Sequence, residues 1–180
     1  SHAAGAELCL AAELRYSLQR LLAVTGDADY TDRLEEIAYN AWPATFTDDL
    51  CAHQYVQQVN QIEVSRKKRI WYDAYKEANL FGLKPNFGCC AANMHQGWPK
   101  LLGALWMARA DSLAAGVYAP CAASLTVNNT LVRLREETDY PFDGKITIKI
   151  EAVENDSRAL AFTLYLRVPG WAEAFSLRVN

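Results

Sequence analysis

Near residue 110 the hydrophobic period of this chain changes, and that change restricts it to a fold of two unlike parts. Before it, apolar residues recur at helical steps, with Leu10, Leu14, Leu18, Leu21 and Leu22 marking one face over residues 7–24. Gly26 stops that helix and Asp27 or Asp29 can cap the next. Tyr30, Leu34, Ile37, Ala38 and Ala41 then form a second face, closed by Pro43, so the pair reads as an antiparallel helical hairpin. After the change come short β-rich runs at 113–118, 124–127, 131–135, 145–150, 160–168 and 175–179. Some alternate strictly, with Ile146, Ile148 and Ile150 pointing one way and Lys145, Thr147 and Lys149 the other. Asn128-Asn129, Asp143-Gly144 and Asn155-Asp156 supply turns, and strands at this spacing suggest part of an antiparallel β-sandwich.

The spacing therefore predicts an α + β chain in separate parts, 1–110 and 111–180, with helices over 6–25, 28–42 and 90–108 and only strands after 112. The third helix takes its apolar face from Leu101, Leu102, Leu105 and Trp106, with Pro99 resetting its first turns. Residues 55–64, rich in Gln and Asn, read as an irregular excursion, and the basic run Arg66 to Arg69 as a solvated loop or, less simply, an anion contact. Three helices with wide apolar faces bury little among themselves, and the run at 175–179 stops in mid-alternation. Both features lead us to expect a piece of something larger, cut at each end.

Charge narrows the partners. With 18 basic and 21 acidic side chains the formal net charge is −3, too balanced for the basic patch that nucleic acid requires. No apolar run reaches the ~18 residues of a membrane span, and Ser1 to Gly5 lack the features of a signal peptide. Of the five cysteines, Cys89 and Cys90 are adjacent and could bond to each other only with strain. Reduced thiols, some on a metal, are the expectation, and they favour a reducing compartment such as the cytoplasm.

The residues that carry chemistry are few. Gly88-Cys89-Cys90 opens the predicted third helix, where the dipole favours thiolate and two neighbouring sulfurs invite zinc; alternatively both are small core residues. Glu7-x-Cys9 is the complement. On a helix those side chains lie roughly 200° apart, so they can share an ion only in or just before its first turn. Together they would make a four-coordinate set of one oxygen and three sulfurs, though the long gap between Cys9 and Cys89 is a weak spacing signal. His53 and His95 could meet substrate hydroxyls or be structural, and His2 is read as foreign to the natural chain. Trp71, Tyr72 and Tyr75 could stack on a sugar or belong to a core. No phosphate loop, Gly-x-Ser-x-Gly elbow or paired-His zinc motif is present.

Glu7-Leu8-Cys9 opening a helix resembles the Glu-x-Cys motif of glycoside hydrolase family 127, the β-L-arabinofuranosidases. The stretch Asn86-Phe-Gly-Cys-Cys-Ala-Ala-Asn93-Met-His-Gln-Gly-Trp98-Pro is similar to one branch of that family. The resemblance implies the end of an (α/α)6 toroid followed by a β-sandwich. It implies zinc on Glu7, Cys9, Cys89 and Cys90, with Cys89 as nucleophile in a retaining reaction on a carbohydrate, and Tyr55 in a sugar-contacting segment. It places the general acid/base glutamate upstream of Glu-x-Cys, so the 180 residues by themselves should not turn over substrate. The rival expectation is a non-catalytic carbohydrate-associated protein whose zinc only staples helix to loop. The sugar, the linkage and the oligomeric state are left open.

Overall fold

A computed structural model describes residues 5–69, 76–85, 88–154 and 160–180. The possible turn at Asn155-Asp156, the aromatic residues Trp71, Tyr72 and Tyr75, and His2 lie outside the described residues. Helix α1 (Leu8–Thr25) ends as expected at Gly26, whose φ of 69° lets its N–H donate to the Leu22 carbonyl at 2.8 Å. Asp27 then accepts the Asp29 N–H at 3.0 Å and starts α2 (Ala28–Glu36). The predicted helix to residue 42 instead widens into a π turn over Ile37–Ala41, followed by a 3₁₀ turn over Pro43–Thr45. Pro43 has no N–H with which to continue the ladder.

The buried face of α1 is only in part the one expected, since of the five leucines expected there Leu18 and Leu22 are buried. Leu8, Ala11, Ala12, Arg15, Leu18 and Leu22 are buried at i, i+3, i+4 steps, whereas Leu10, Leu14 and Leu21 are 56%, 44% and 42% exposed. Two adjacent apolar stripes share this helix, and among the described residues only one of them is covered.

By compactness the chain divides into two units, one of residues 1–20 and 33–101, the other of 21–32 and 102–180. In the first, β1 (Ala6–Glu7) pairs antiparallel with β3 (Val56–Gln57), and β2 (His53–Gln54) with β4 (Phe81–Gly82). The expected excursion at 55–64 thus begins with a short strand. Around these lies a core of Leu8, Ala11, Ala12, Trp42, Tyr55, Val56, Ala78 and Cys90. The expected helix over 90–108 is broken into α3 (Cys89–Met94), α4 (Gly97–Leu101) and a 3₁₀ turn at Leu102–Ala104. Gly97 opens α4, and the position admits no side chain, because a Cβ there would meet the buried Trp42 indole at 1.9 Å.

In the second unit Trp106–Arg109, expected to be helical, is strand β5, paired antiparallel with β6 (Ser112–Ala115). Strand pairing overrides the helical pattern there, since all four residues of β5 find register partners on β6. β10 (Thr163–Tyr165) adds to β6 in parallel, giving the order β10-β6-β5. A second three-stranded sheet, β7-β8-β9 (Cys121–Val127, Thr130–Thr138, Ile146–Glu154), is an antiparallel meander. Asn128 and Asn129, at φ 49° and 58°, make the left-handed two-residue turn between its first strands. Every regular element after Ala110 among the described residues is a strand, but the expected strand at 175–179 is not formed. No described segment pairs with it, and a strand without a ladder partner has no backbone hydrogen bonds to hold it. No helix among the described residues is long and apolar enough to cross a membrane.

Strand β8 alternates cleanly, and the row that buries Val132 and Leu134 also buries Glu136. Trp106 Nε1–H donates to its Oε2 at 2.9 Å and the Ala119 N–H to its Oε1 at 3.0 Å. Burial outweighs these donors and pushes the carboxyl up from 4.5 to about 7. The folded state therefore holds a proton that the unfolded chain has released between about pH 4.5 and pH 7, so stability falls as pH rises through that window. The rise corresponds to about 3 kcal/mol. Urea unfolding at a series of pH values, monitored by tryptophan fluorescence, should show this slope, and Glu136→Gln should remove it.

Candidate metal centre

Glu7 is the last residue of β1 and Cys9 the second of α1, so the two side chains are not held to helical spacing. The bend between strand and helix, fixed by the Leu8 N–H donating to the Tyr55 carbonyl at 3.0 Å, swings the Glu7 carboxylate and the Cys9 sulfur together. Cys89 and Cys90 arrive from the start of α3. The ligand atoms of Glu7, Cys9, Cys89 and Cys90 all lie within 4.8 Å of one another. Cys9 Sγ is 3.5 Å from Cys90 Sγ, and Glu7 Oε1 is 3.3 Å from Cys89 Sγ and 3.9 Å from Cys90 Sγ. The Tyr55 hydroxyl stands 3.5 Å from Cys89 Sγ.

Depth separates the three sulfurs. Cys90 is fully buried, while Cys9 and Cys89 are partly exposed. Burial pushes the thiols of Cys9 and Cys90 up from the ordinary cysteine value, against the lowering expected from a helix start. α3 is only six residues long, and its Gly88 cap offers no side chain. A nearby cation would favour the ionised form of the Cys9 and Cys90 thiols against that burial. Three soft sulfurs and one carboxylate oxygen are, in number and kind, a donor set that a four-coordinate metal such as zinc accepts.

Cys51 is exposed with its sulfur 3.4 Å from the Asp49 carbonyl, and Cys121 lies on β7 opposite Glu136; neither belongs to the cluster. His53 is buried on β2 with burial lowering its pKa, and its Nε2 has no hydrogen-bond partner among the described residues. His95 is exposed at the end of α3. Within the basic run, Arg66 pairs with Glu77 at 2.9 Å and Lys67 with Glu63 at 2.6 Å, which weakens the anion-contact reading. Sequence reasoning missed Asn93, whose Nδ2 donates to Cys9 Sγ at 3.3 Å, and Gln96, whose Nε2 donates to Asn93 Oδ1 at 2.8 Å. The available signal was position: Asn93 stands four and three residues after the cysteine pair, on the same side of a helix.

A family model described as the GH127 catalytic domain of β-L-arabinofuranosidase matches residues 1–103. The chain belongs to the GH127 family. A model of the GH127 middle domain matches residues 112–180 of this GH127 chain. Among solved structures, a GH127 β-arabinofuranosidase is 28% identical with a TM-score of 0.72, over 93% of this chain and 23% of that one. A GH127 β-L-arabinofuranosidase from Geobacillus stearothermophilus T6 is 22% identical, with a TM-score of 0.68 over 96% of this chain and 26% of its own. A glycoside hydrolase at 19% identity has a TM-score of 0.73, over 94% and 27%. The GH127 chain thus spans about a quarter of the length of these structures. None of the curated proteins matches it.

Proposed function

We propose that this chain carries the nucleophile and metal ligands of a retaining, zinc-dependent glycosidase acting on β-L-arabinofuranosides or related glycosides. In this reading residues 1–110 are the last part of an (α/α)6 toroid and 111–180 the start of a β-sandwich. Membership of GH127 supports the substrate class. The observation that carries the chemistry is the convergence of Glu7, Cys9, Cys89 and Cys90, with the Tyr55 hydroxyl beside Cys89.

Glu7, Cys9, Cys89 and Cys90 would hold the zinc, which when bound keeps its thiol ligands deprotonated at neutral pH. Cys89 is the sulfur suited to attack. Cys90 has no surface to offer a substrate, and Cys9 is engaged by Asn93. The Cys89 sulfur attacks the anomeric carbon and forms a C–S bond as the glycosidic C–O bond breaks, its electron pair leaving with the oxygen. A general acid protonates that oxygen; the family resemblance puts this acid in a segment preceding Glu-x-Cys. Water then displaces the sulfur from the same carbon, and two inversions give net retention. Tyr55, at the edge of the pocket, orients the sugar through its hydroxyl.

An arabinofuranosyl bromoacetamide tests this reading, since thiolate displaces bromide and leaves a stable label. Peptide mapping should find Cys89 alkylated faster than by sugar-free bromoacetamide, while exposed Cys51 reacts equally with both. Equal rates at Cys89 would refute a sugar-binding nucleophile and favour a purely structural metal site.

A further inference from the structure

We propose that Asn93 is a positioning residue for the metal centre, its side-chain amide donating an N–H to the Cys9 sulfur and being held in that orientation by Gln96. The inference rests on the metal reading above. Three contacts form a relay within one unit. Arg15, buried in α1, donates from Nη2 to the Gln96 carbonyl oxygen at 3.2 Å and fixes the turn after α3. Gln96 Nε2 donates to Asn93 Oδ1 at 2.8 Å, and Asn93 Nδ2 faces Cys9 Sγ at 3.3 Å.

Chemistry makes this more than packing. An amide can present either its oxygen or its N–H to a sulfur, and a protonated thiol accepts either arrangement. A sulfur on a cation has no proton to donate and can only accept. With the Asn93 oxygen already occupied by Gln96, its N–H is what remains for Cys9. Such a donor engages one sulfur lone pair, leaves the others for the cation, and withdraws electron density from the thiolate. Outer-shell donors of this kind are typically worth 10–100-fold in metal affinity. Asn93 serves Cys9 in particular: the Tyr55 hydroxyl lies against Cys89, and Cys90 is enclosed by the core.

The experiment is a Co²⁺ titration of the full chain, followed by Zn²⁺ competition, read through the thiolate-to-cobalt charge-transfer band. Asn93→Ala should weaken Zn²⁺ binding about 10–100-fold and move that band to lower energy, because an unbonded thiolate is the better electron donor. Asn93→Asp, of the same shape but with oxygen in place of the N–H, should weaken it at least as much. Gln96→Ala should act in the same direction and less strongly. Thermal unfolding of the metal-free proteins should coincide, separating a role at the metal from one in the fold. Wild-type-like affinity and an unmoved band in Asn93→Asp would overturn the proposal while leaving the metal reading intact. A wild-type chain that shows no charge-transfer band would overturn both.

Discussion

Incubated with an aryl β-L-arabinofuranoside, the 180-residue chain is expected to release at most about one equivalent of the phenol, in a burst that Cys89→Ala abolishes. A retaining glycosidase needs a nucleophile and a proton donor on opposite sides of the scissile bond, about 5–5.5 Å apart. On the reading proposed here the chain supplies the nucleophile, and no residue in it is assigned as the donor. An activated phenol leaves without protonation, so the first step can proceed on Cys89 alone. The second step cannot, because no base activates the water. General acid–base groups typically contribute about 10²–10⁴-fold, which would put alkyl arabinosides out of reach. Stopped-flow absorbance would give the burst, and intact-protein mass would show one pentosyl group on the chain. Sustained turnover would mean that a residue within the 180 acts as acid and base, and would overturn the assignment of that role elsewhere.

Cys90→Ala and Cys9→Ala are each expected to lower zinc affinity at least about 100-fold, beyond the range of outer-shell changes. Cys51→Ser and Cys121→Ser should leave it unchanged. Cys90 carries the larger consequence, because on the proposed reading its sulfur would be a ligand, and the residue also belongs to the core that holds Leu8, Trp42 and Val56. Zinc at about 1,000 times its dissociation constant would stabilise the wild-type chain by about 4 kcal/mol, and an about 100-fold weaker site in Cys90→Ala should lose about 2.7 kcal/mol of that increment. Acid should act in the same direction. Zinc binding displaces protons from thiols that burial holds neutral, so affinity rises with pH and falls on acidification. Equilibrium dialysis with metal analysis at two pH values, with calorimetric melting alongside, checks both statements. Zinc affinity in Cys90→Ala equal to wild type would remove Cys90 from the ligand set.

How legible the centre was depends on the kind of information each residue carries. Cys89-Cys90 and Glu7-x-Cys9 are rare local patterns of reactive groups, visible at once, and the sequence even restricted Glu7 and Cys9 to sharing an ion at the start of a helix. That they do meet required the Leu8–Tyr55 hydrogen bond and the β1–β3 pairing, contacts between residues about fifty apart. For Asn93 the sequence offered only its helical position beside the cysteine pair, and for Gln96 nothing, since an amide says little until it is known what it faces. Glu136 was hidden for a related reason: alternation placed it in the buried row of β8, yet nothing local shows that Trp106 and Ala119 supply donors to its carboxylate.

By itself the sequence determined the change from helices to strands, the Gly26 stop with its Asp27 cap, the Asn128-Asn129 turn and the identity of the four ligand candidates. Each depends on backbone preferences or side-chain chemistry within a few residues. Tertiary structure alone decided which stripe of α1 is buried, because two stripes are apolar and only contact chooses between them. It also decided that 90–108 breaks and re-forms as a strand. Gly97 must clear the Trp42 ring, and Trp106–Arg109 finds its partner in β6, contacts that no window of local sequence contains.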